Sequence, residues 1–271
     1  MAETKDKQEE REEEEVFGAS RLAARQVFEV IRRDGEEELL RPNSSLVWSG
    51  IAAGILISFS VLGEAFFLAR LPDASWSTLI ASFGYSAGFL MVILGRMQLF
   101  TENTITPIMP LSENPKRFCR PVLRLWSIVF LANMVGTIIA AAFIIYTNVL
   151  IPDYFEAVLG ISRHVAELSA GQALLRGVPA GILIAAIVWM LPPSGGAAAF
   201  FVILFFTYRI ALGEFTHVIA GSVEVFALVF HGELGIGAAV FGSIVPTLIS
   251  NVIGGTAVFA LLARYQVHEE V

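Results

Sequence analysis

This chain has little charge and almost no cysteine. Only 16% of its 271 residues are Asp, Glu, Lys or Arg, against about 25% in a soluble globular chain. Residues 1–41 hold 8 of the 18 bases and 13 of the 25 acids, which leaves 10 and 12 for the remaining 230 residues. So few charges cannot cover a soluble particle of that size, which argues against a cytosolic enzyme. The net charge of -7 has the wrong sign for a nucleic-acid binder. One cysteine, Cys119, excludes an intrachain disulfide and any cysteine-rich metal site. Of the four histidines only His217 falls inside an apolar region, too few for a zinc centre, so no metal or cofactor is expected. A membrane enzyme would need convergent acids, bases or metal ligands, and the sequence offers few. The first 15 residues are almost all charged or polar, so no signal peptide is expected among them.

What the chain does have is apolar sequence: 55% of residues and a mean hydropathy of +0.69. Crossing ~30 Å of hydrocarbon takes about 20 apolar residues. Six stretches qualify, at 46–69, 79–96, 122–148, 173–191, 197–215 and 235–263. Two shorter pieces, 105–111 and 222–230, each follow a full stretch after a polar interruption: 98–104, reading QLFTENT, and 216–222, reading THVIAGS. This predicts an all-α membrane protein with six passes, the second and fifth broken. A broken helix at membrane depth is tolerated only inside protein or beside a wet cavity, so two breaks imply an enclosed path. The plainer account of 97–111 is an interfacial loop.

Basic residues set the expected orientation. Eight precede the first pass, and Lys116, Arg117, Arg120 and Arg124 lie between the second and third. The 149–172 link holds Arg163 against Asp153, Glu156 and Glu167. Both termini are therefore expected in the cytoplasm. Residues 1–15 read as a disordered acidic tail, 16–41 as an amphipathic helix, 42–265 as the channel domain and 266–271 as a cytoplasmic tail. The helix would bury Val16, Ala19, Ala23, Val27, Val30 and Ile31 on the membrane domain or a neighbouring subunit. Arg21, Arg25, Arg32 and Arg33 would alternatively meet acidic headgroups.

The two halves of the chain echo each other. Residues 49–57, SGIAAGILI, resemble 176–184, RGVPAGILI, with Gly50 matching Gly177 at an offset of 127. Leu94-Gly95 matches Leu212-Gly213, and Asn133-x-x-Gly136 matches Asn251-x-x-Gly254, both at 118. Each break follows a Leu-Gly match. The unit is three passes, an odd number, so the second unit enters from the opposite face and the repeats are inverted, an arrangement that commonly places the solute site between half-helices. Glycines four apart, Gly50/Gly54, Gly84/Gly88 and Gly177/Gly181, permit close helix crossings. Asn133 and Asn251 are placed to hydrogen-bond to the broken helices.

Chemistry is expected at the breaks. His217 can donate a hydrogen bond when neutral, or draw in an anion or pass a proton when charged. Thr101, Asn103 and Thr104 sit where freed backbone amides would join the Thr101 hydroxyl as donors. Glu102 would cap a short helix, pair with a base at the mouth, or touch solute. Glu64, Arg96, Arg209, Glu214 and Glu224 are further intramembrane charges and so functional candidates. The plainer reading has Glu64, Arg96 and Arg209 snorkelling from helix ends and Glu214 and Glu224 completing ion pairs. Tyr85, Phe89, Phe100, Ile184 and Ile210 are candidates for the apolar narrow parts of the path.

Leu99-Phe100-Thr101 after Gly95, Arg176-Gly177, the Glu-Phe-x-His of 214–217 and Asn251-x-x-Gly254-Gly255 together resemble the formate/nitrite transporter family over roughly residues 20–265. The QLFTENT motif resembles a less characterised branch of it. The resemblance implies an aquaporin-like protomer of inverted three-helix halves, assembled as a homopentamer in the inner membrane, each protomer with its own pore for small monovalent anions. It also implies that His217 is the central histidine, Thr101 the re-entrant-loop threonine and Phe100 the cytoplasmic gate, with Tyr85 and Phe89 at the outer constriction. Formate-type members place asparagines at the positions of Gly181 and Gly221 and a lysine near 164–166, where this chain has His164-Val165-Ala166.

The expected partners are thus a small monovalent solute, protons, membrane lipid and further copies of the chain. A neutral or cationic solute, and a non-transporting receptor-like protein, are the alternatives.

Overall fold

The computed structural model describes residues 22–268, and the described residues are all helical or connecting. The tail expected at 1–15, and Val16, Ala19 and Arg21 of the expected amphipathic helix, lie outside them. In lipid a backbone N–H or C=O has no water to bond, so apolar, charge-poor runs close their bonds within helices. Five helices are long and apolar enough to span: α2 (Asn43–Leu68), α3 (Ser77–Leu94), α5 (Pro115–Tyr146), α7 (Ala170–Met190) and α10 (Ile236–Val267). The fifth pass is two shorter pieces, α8 (Ala197–Leu212) and α9 (Val218–His231). After α3 the chain makes a 3-10 turn at Glu102–Thr104 and a short α4 (Ile108–Glu113). An extra helix, α6 (Pro152–Ala166), links the halves. Helix α10 runs through residue 267, past the boundary expected at 265, and widens into π turns at Ala239–Ile244 and Ile253–Ala260.

The second break is placed differently from the expectation. The helix stops at Leu212 and restarts at Val218, so the interruption is 213–217 and not 216–222. Gly221 and the hydroxyl of Ser222 do not break the helix, which runs through both. What breaks it is the turn of backbone at Gly213 and Glu214.

Two crossings repeat. α2 meets α5 where a Cβ on Gly54 would collide with the Asn133 carbonyl and one on Gly136 with the Ile51 carbonyl. α7 meets α10 in the same way, with Gly181 against the Asn251 carbonyl and Gly254 against Val178. Lipid supplies no hydrophobic drive for these contacts, so backbone proximity supplies dispersion instead. The asparagine implied at 181 therefore has no room here: Gly181 is the counterpart of Gly54, a crossing contact.

The N-terminal helix α1 (Ala24–Leu40) buries Val27, Phe28, Ile31, Gly35 and Leu39 against α4, α5 and α10. Val30, expected on that face, is 37% exposed, because Gly35 and Leu39 continue the stripe on the side away from it. Arg32 and Arg33 are tied to Glu29 at 2.8 and 2.7 Å rather than left free for headgroups. Those two guanidiniums hold the Glu29 carboxyl down at about 2. Arg124 of α5 donates to the carbonyls of Leu39 and Arg41 and to Asn43 Oδ1, which fixes the bend between α1 and α2.

Candidate functional site

The two breaks have the same backbone. After α3, Arg96 N–H bonds to Ile93 O at 3.1 Å and Met97 N–H to Val92 O at 3.0 Å. After α8, Glu214 N–H bonds to Ala211 O at 2.9 Å and Phe215 N–H to Ile210 O at 2.9 Å. This is the helix-ending motif that needs one left-handed residue. Arg96 and Glu214 supply it, with φ of 52° and 51°.

Each break is stitched by one buried asparagine. Asn133 Oδ1 accepts from Phe100 N–H at 2.9 Å, and its Nδ2 donates to Gly50 O at 2.8 Å and Gln98 O at 2.9 Å. Asn251 accepts from Val218 N–H at 2.9 Å and donates to Gly177 O at 2.9 Å and Thr216 O at 3.0 Å. Each side chain satisfies one N–H and one C=O that its break would otherwise leave orphaned, and ties them to a carbonyl of an intact helix, Gly50 or Gly177. The asparagines are structural, as their matched spacing suggests.

Chemistry enters where the symmetry fails. In the matched register Leu99 stands where the second half has His217, and Ile219 where the first half has Thr101. Thr101 Oγ1 lies 2.8 Å from His217 Nε2, a contact between the two breaks, with the side chains 0% and 2% exposed. The other ring nitrogen, Nδ1, accepts from Ala220 N–H at 3.3 Å and caps α9. A backbone N–H can only donate, so Nδ1 is bare and the proton sits on Nε2, donated to Thr101. His217 is thus a neutral donor-acceptor with both nitrogens engaged. Phe89 meets its ring edge-on at 4.9 Å between centroids.

A cavity of about 350 Å³ runs from His217 towards α6 and the 213–217 break. Of the expected residues, Tyr85, Ile210, Glu214 and His217 line it. Thr101 and Phe89 touch His217 without lining it. Ile184 is fully buried and does not line it. Phe100 packs edge-on to Trp126 and Phe130, with centroids 5.9 and 5.3 Å away. Asn103 does not line the cavity, and one of its two amide hydrogens bonds Gln98 Oε1 at 3.0 Å.

Three charges do not take the plainer roles open to them. Glu102 neither caps a helix nor pairs with a base; among the described residues its buried Oε1 has no partner. Glu64 does not snorkel: it faces the cavity. Glu224, 5% exposed, also faces the cavity, and no ion pair reaches it among the described residues. Glu214 does complete an ion pair, with Arg176 Nη1 at 2.6 Å, and meets His164 Nε2 at 3.3 Å. Arg163, beside the expected lysine position, is held by Glu233 at 2.6 Å and draws that carboxyl down to about 2. Glu224 was findable as a cavity residue, since 217, 221 and 224 share one helical face.

The sequence profile described as formate/nitrite transporter matches residues 25–265. The chain belongs to the formate/nitrite transporter family. It is a transmembrane channel or transporter for a small monovalent anion such as formate or nitrite, and not an enzyme. It is 37% identical over 246 residues to the inner membrane protein YfdC of Escherichia coli (strain K12), across 90% of this chain and 79% of that one. It is 26% identical over 251 residues to the uncharacterized transporter YrhG of Bacillus subtilis (strain 168), across 90% and 93%. Two solved structures share the fold. A pentameric formate channel with formate bound aligns with a TM-score of 0.72 at 18% identity, covering 88% of this chain and 99% of that one. An FNT family ion channel aligns at 0.78 and 16%, covering 89% and 98%. The six-pass, inverted-repeat architecture with two broken helices is that of this fold.

Proposed function

We propose that each protomer carries its own solute path, that five protomers assemble as a ring in the inner membrane, and that both termini face the cytoplasm. The observation that carries the path is the 2.8 Å contact between Thr101 and His217, where the two broken helices meet. A solute arriving through the cavity reaches His217 before it reaches Thr101. The imidazole, fixed in one tautomer by Ala220 N–H and Thr101, presents an oriented polar group in a setting of Phe89, Tyr85 and Ile210. A bare anion pays heavily to enter such a setting. A neutral acid, or an anion that gains a proton on the way, pays far less. Formate, which a channel of the same fold binds, and nitrite, which the family carries, are the candidate solutes.

Flux in proteoliposomes tests this. Replacing His217 with Phe keeps the bulk and removes both hydrogen bonds; we expect formate and nitrite flux to fall about tenfold or more, the equivalent of ~1.4 kcal/mol at the barrier. Unchanged flux would remove His217 from the path. The cavity holds three acidic side chains, Glu64, Glu214 and Glu224, against one guanidinium, Arg176, which makes the neutral acid the cheaper form to carry.

A further inference from the structure

The cavity has the wrong charge for a bare anion. Its one guanidinium, Arg176, is already paired with Glu214 at 2.6 Å, and His164 also leans on Glu214. Glu224 and Glu64 are left without a counter-charge among the described residues. Glu224 is 95% buried by its 5% exposure, lines the cavity, and has no hydrogen bond or ion pair among the described residues. Its Oε2 faces the space over Gly221, one turn from His217 on the same helical face. An ionised carboxylate in that position is costly unless something compensates it. A proton is the smallest compensation.

His217 does not supply that proton in this arrangement. Its Nδ1 lone pair receives Ala220 N–H, and its Nε2 proton is committed to Thr101. The remaining groups that face Glu224 are few. Glu64 comes from α2, Tyr85 from α3, His164 from α6, Arg176 from α7 and Glu214 from the break, while α10 contributes only Ser243 and Thr247 as polar groups. Helix α5 adds no titratable group to the lining.

We propose that Glu224, backed by Glu64, is a proton-donating site that converts an incoming weak-acid anion to its neutral acid before it reaches His217. The step balances: the O–H bond of the Glu224 carboxyl breaks, an O–H bond forms on the anion, and Glu224 is left as carboxylate. Glu64, which is partly exposed, passes a proton from the outer solution to restore it. One proton then crosses with each solute. This inference rests on the transport reading above.

The test is the full-length protein in proteoliposomes, with formate as probe, a pH dye inside and solute uptake measured together. Wild type is expected to acidify the lumen by one proton per formate. E224Q is expected to lose at least nine-tenths of formate uptake, with E64Q slowed and shifted to lower outside pH. In infrared difference spectra, adding formate to wild type should remove a carboxylic-acid carbonyl band, and E224Q, checked for native assembly by its elution volume, should lack that change. The spectral arm does not depend on flux. Uptake in E224Q with the wild-type proton ratio and pH profile overturns the proposal and leaves the channel reading standing. Wild-type uptake that depends on outside sodium or ammonium, with no proton movement, overturns it in favour of a cation site. No uptake by wild type overturns both readings.

Discussion

Arg96 and Glu214 occupy the same left-handed backbone position in the two halves of the chain, 118 residues apart, with φ of 52° and 51°. Neither is glycine, and a side chain there costs roughly 1 kcal/mol. Arg96 makes no hydrogen bond or ion pair through its side chain among the described residues, whereas Glu214 holds Arg176. R96G is therefore expected to leave thermal stability in detergent unchanged or slightly raised. E214G is expected to fall below R96G, since there a half-exposed ion pair is lost together with the strain. Equal shifts for the two would show that the pair adds nothing.

Asn133 and Asn251 each serve one amide and two carbonyls. Replacing either with alanine strands two buried backbone groups of a break, one N–H and one C=O, because Gly50 O and Gly177 O keep their own helical bonds; each stranded group costs about 1–3 kcal/mol if water cannot reach it. N133A and N251A are each expected to drop the melting temperature by more than any single substitution at Thr101 or His217. Differential scanning fluorimetry on purified protein checks the order.

Glycines divide by what stands over them. A Cβ at Gly181 meets the Asn251 carbonyl, which is backbone and cannot yield. A Cβ at Gly221 meets only Glu224 Oε2, 3.7 Å away. G181A is expected to lose folded, monodisperse protein, and G221A to keep it. Chromatographic profiles of the two, side by side, decide.

Glu38 links α1 to the first break. Its Oε1 accepts from Gln98 Nε2 at 3.2 Å, and its buried Oε2 has no partner among the described residues. Burial raises its carboxyl to about 7, only partly opposed by the Gln98 hydrogen bond. A raised acid binds its proton in the folded state before the unfolded chain does. Stability from this group is therefore full below pH 4.5 and declines as pH rises towards about 7. The span corresponds to roughly 3 kcal/mol as an upper bound. E38Q is expected to flatten that decline, seen as amide-exchange protection of α1 that no longer falls between those two pH values.

Much of this was legible from residues alone. The six passes follow from apolar run length, and the repeat from three matched pairs whose offsets the structure repeats in hydrogen bonds. Asn133 and Asn251 could be assigned because equal spacing from each Leu-Gly pair demands equal geometry. The position of the second break could not. Thr216, His217 and Ser222 look like an interruption, yet helix α9 carries Ser222 by bonding its hydroxyl to Val218 O at 2.6 Å. Glu224 could be placed with His217 by helical spacing, but Glu64 was visible only as a charge, since in a helix that is apolar all round no periodicity says which face meets a cavity. Glu102 likewise reads as a capping residue until its neighbours in space are known.

Leu99 standing where the other half carries His217 makes the protomer two-fold in framework and one-sided in content. The two turns of backbone match, yet the cavity side presents carboxyls and imidazole while the matching turn of the first half carries buried Leu99 and Thr101. Any preference for inward or outward flow can therefore reside in fixed wall chemistry, with no moving part required to create it.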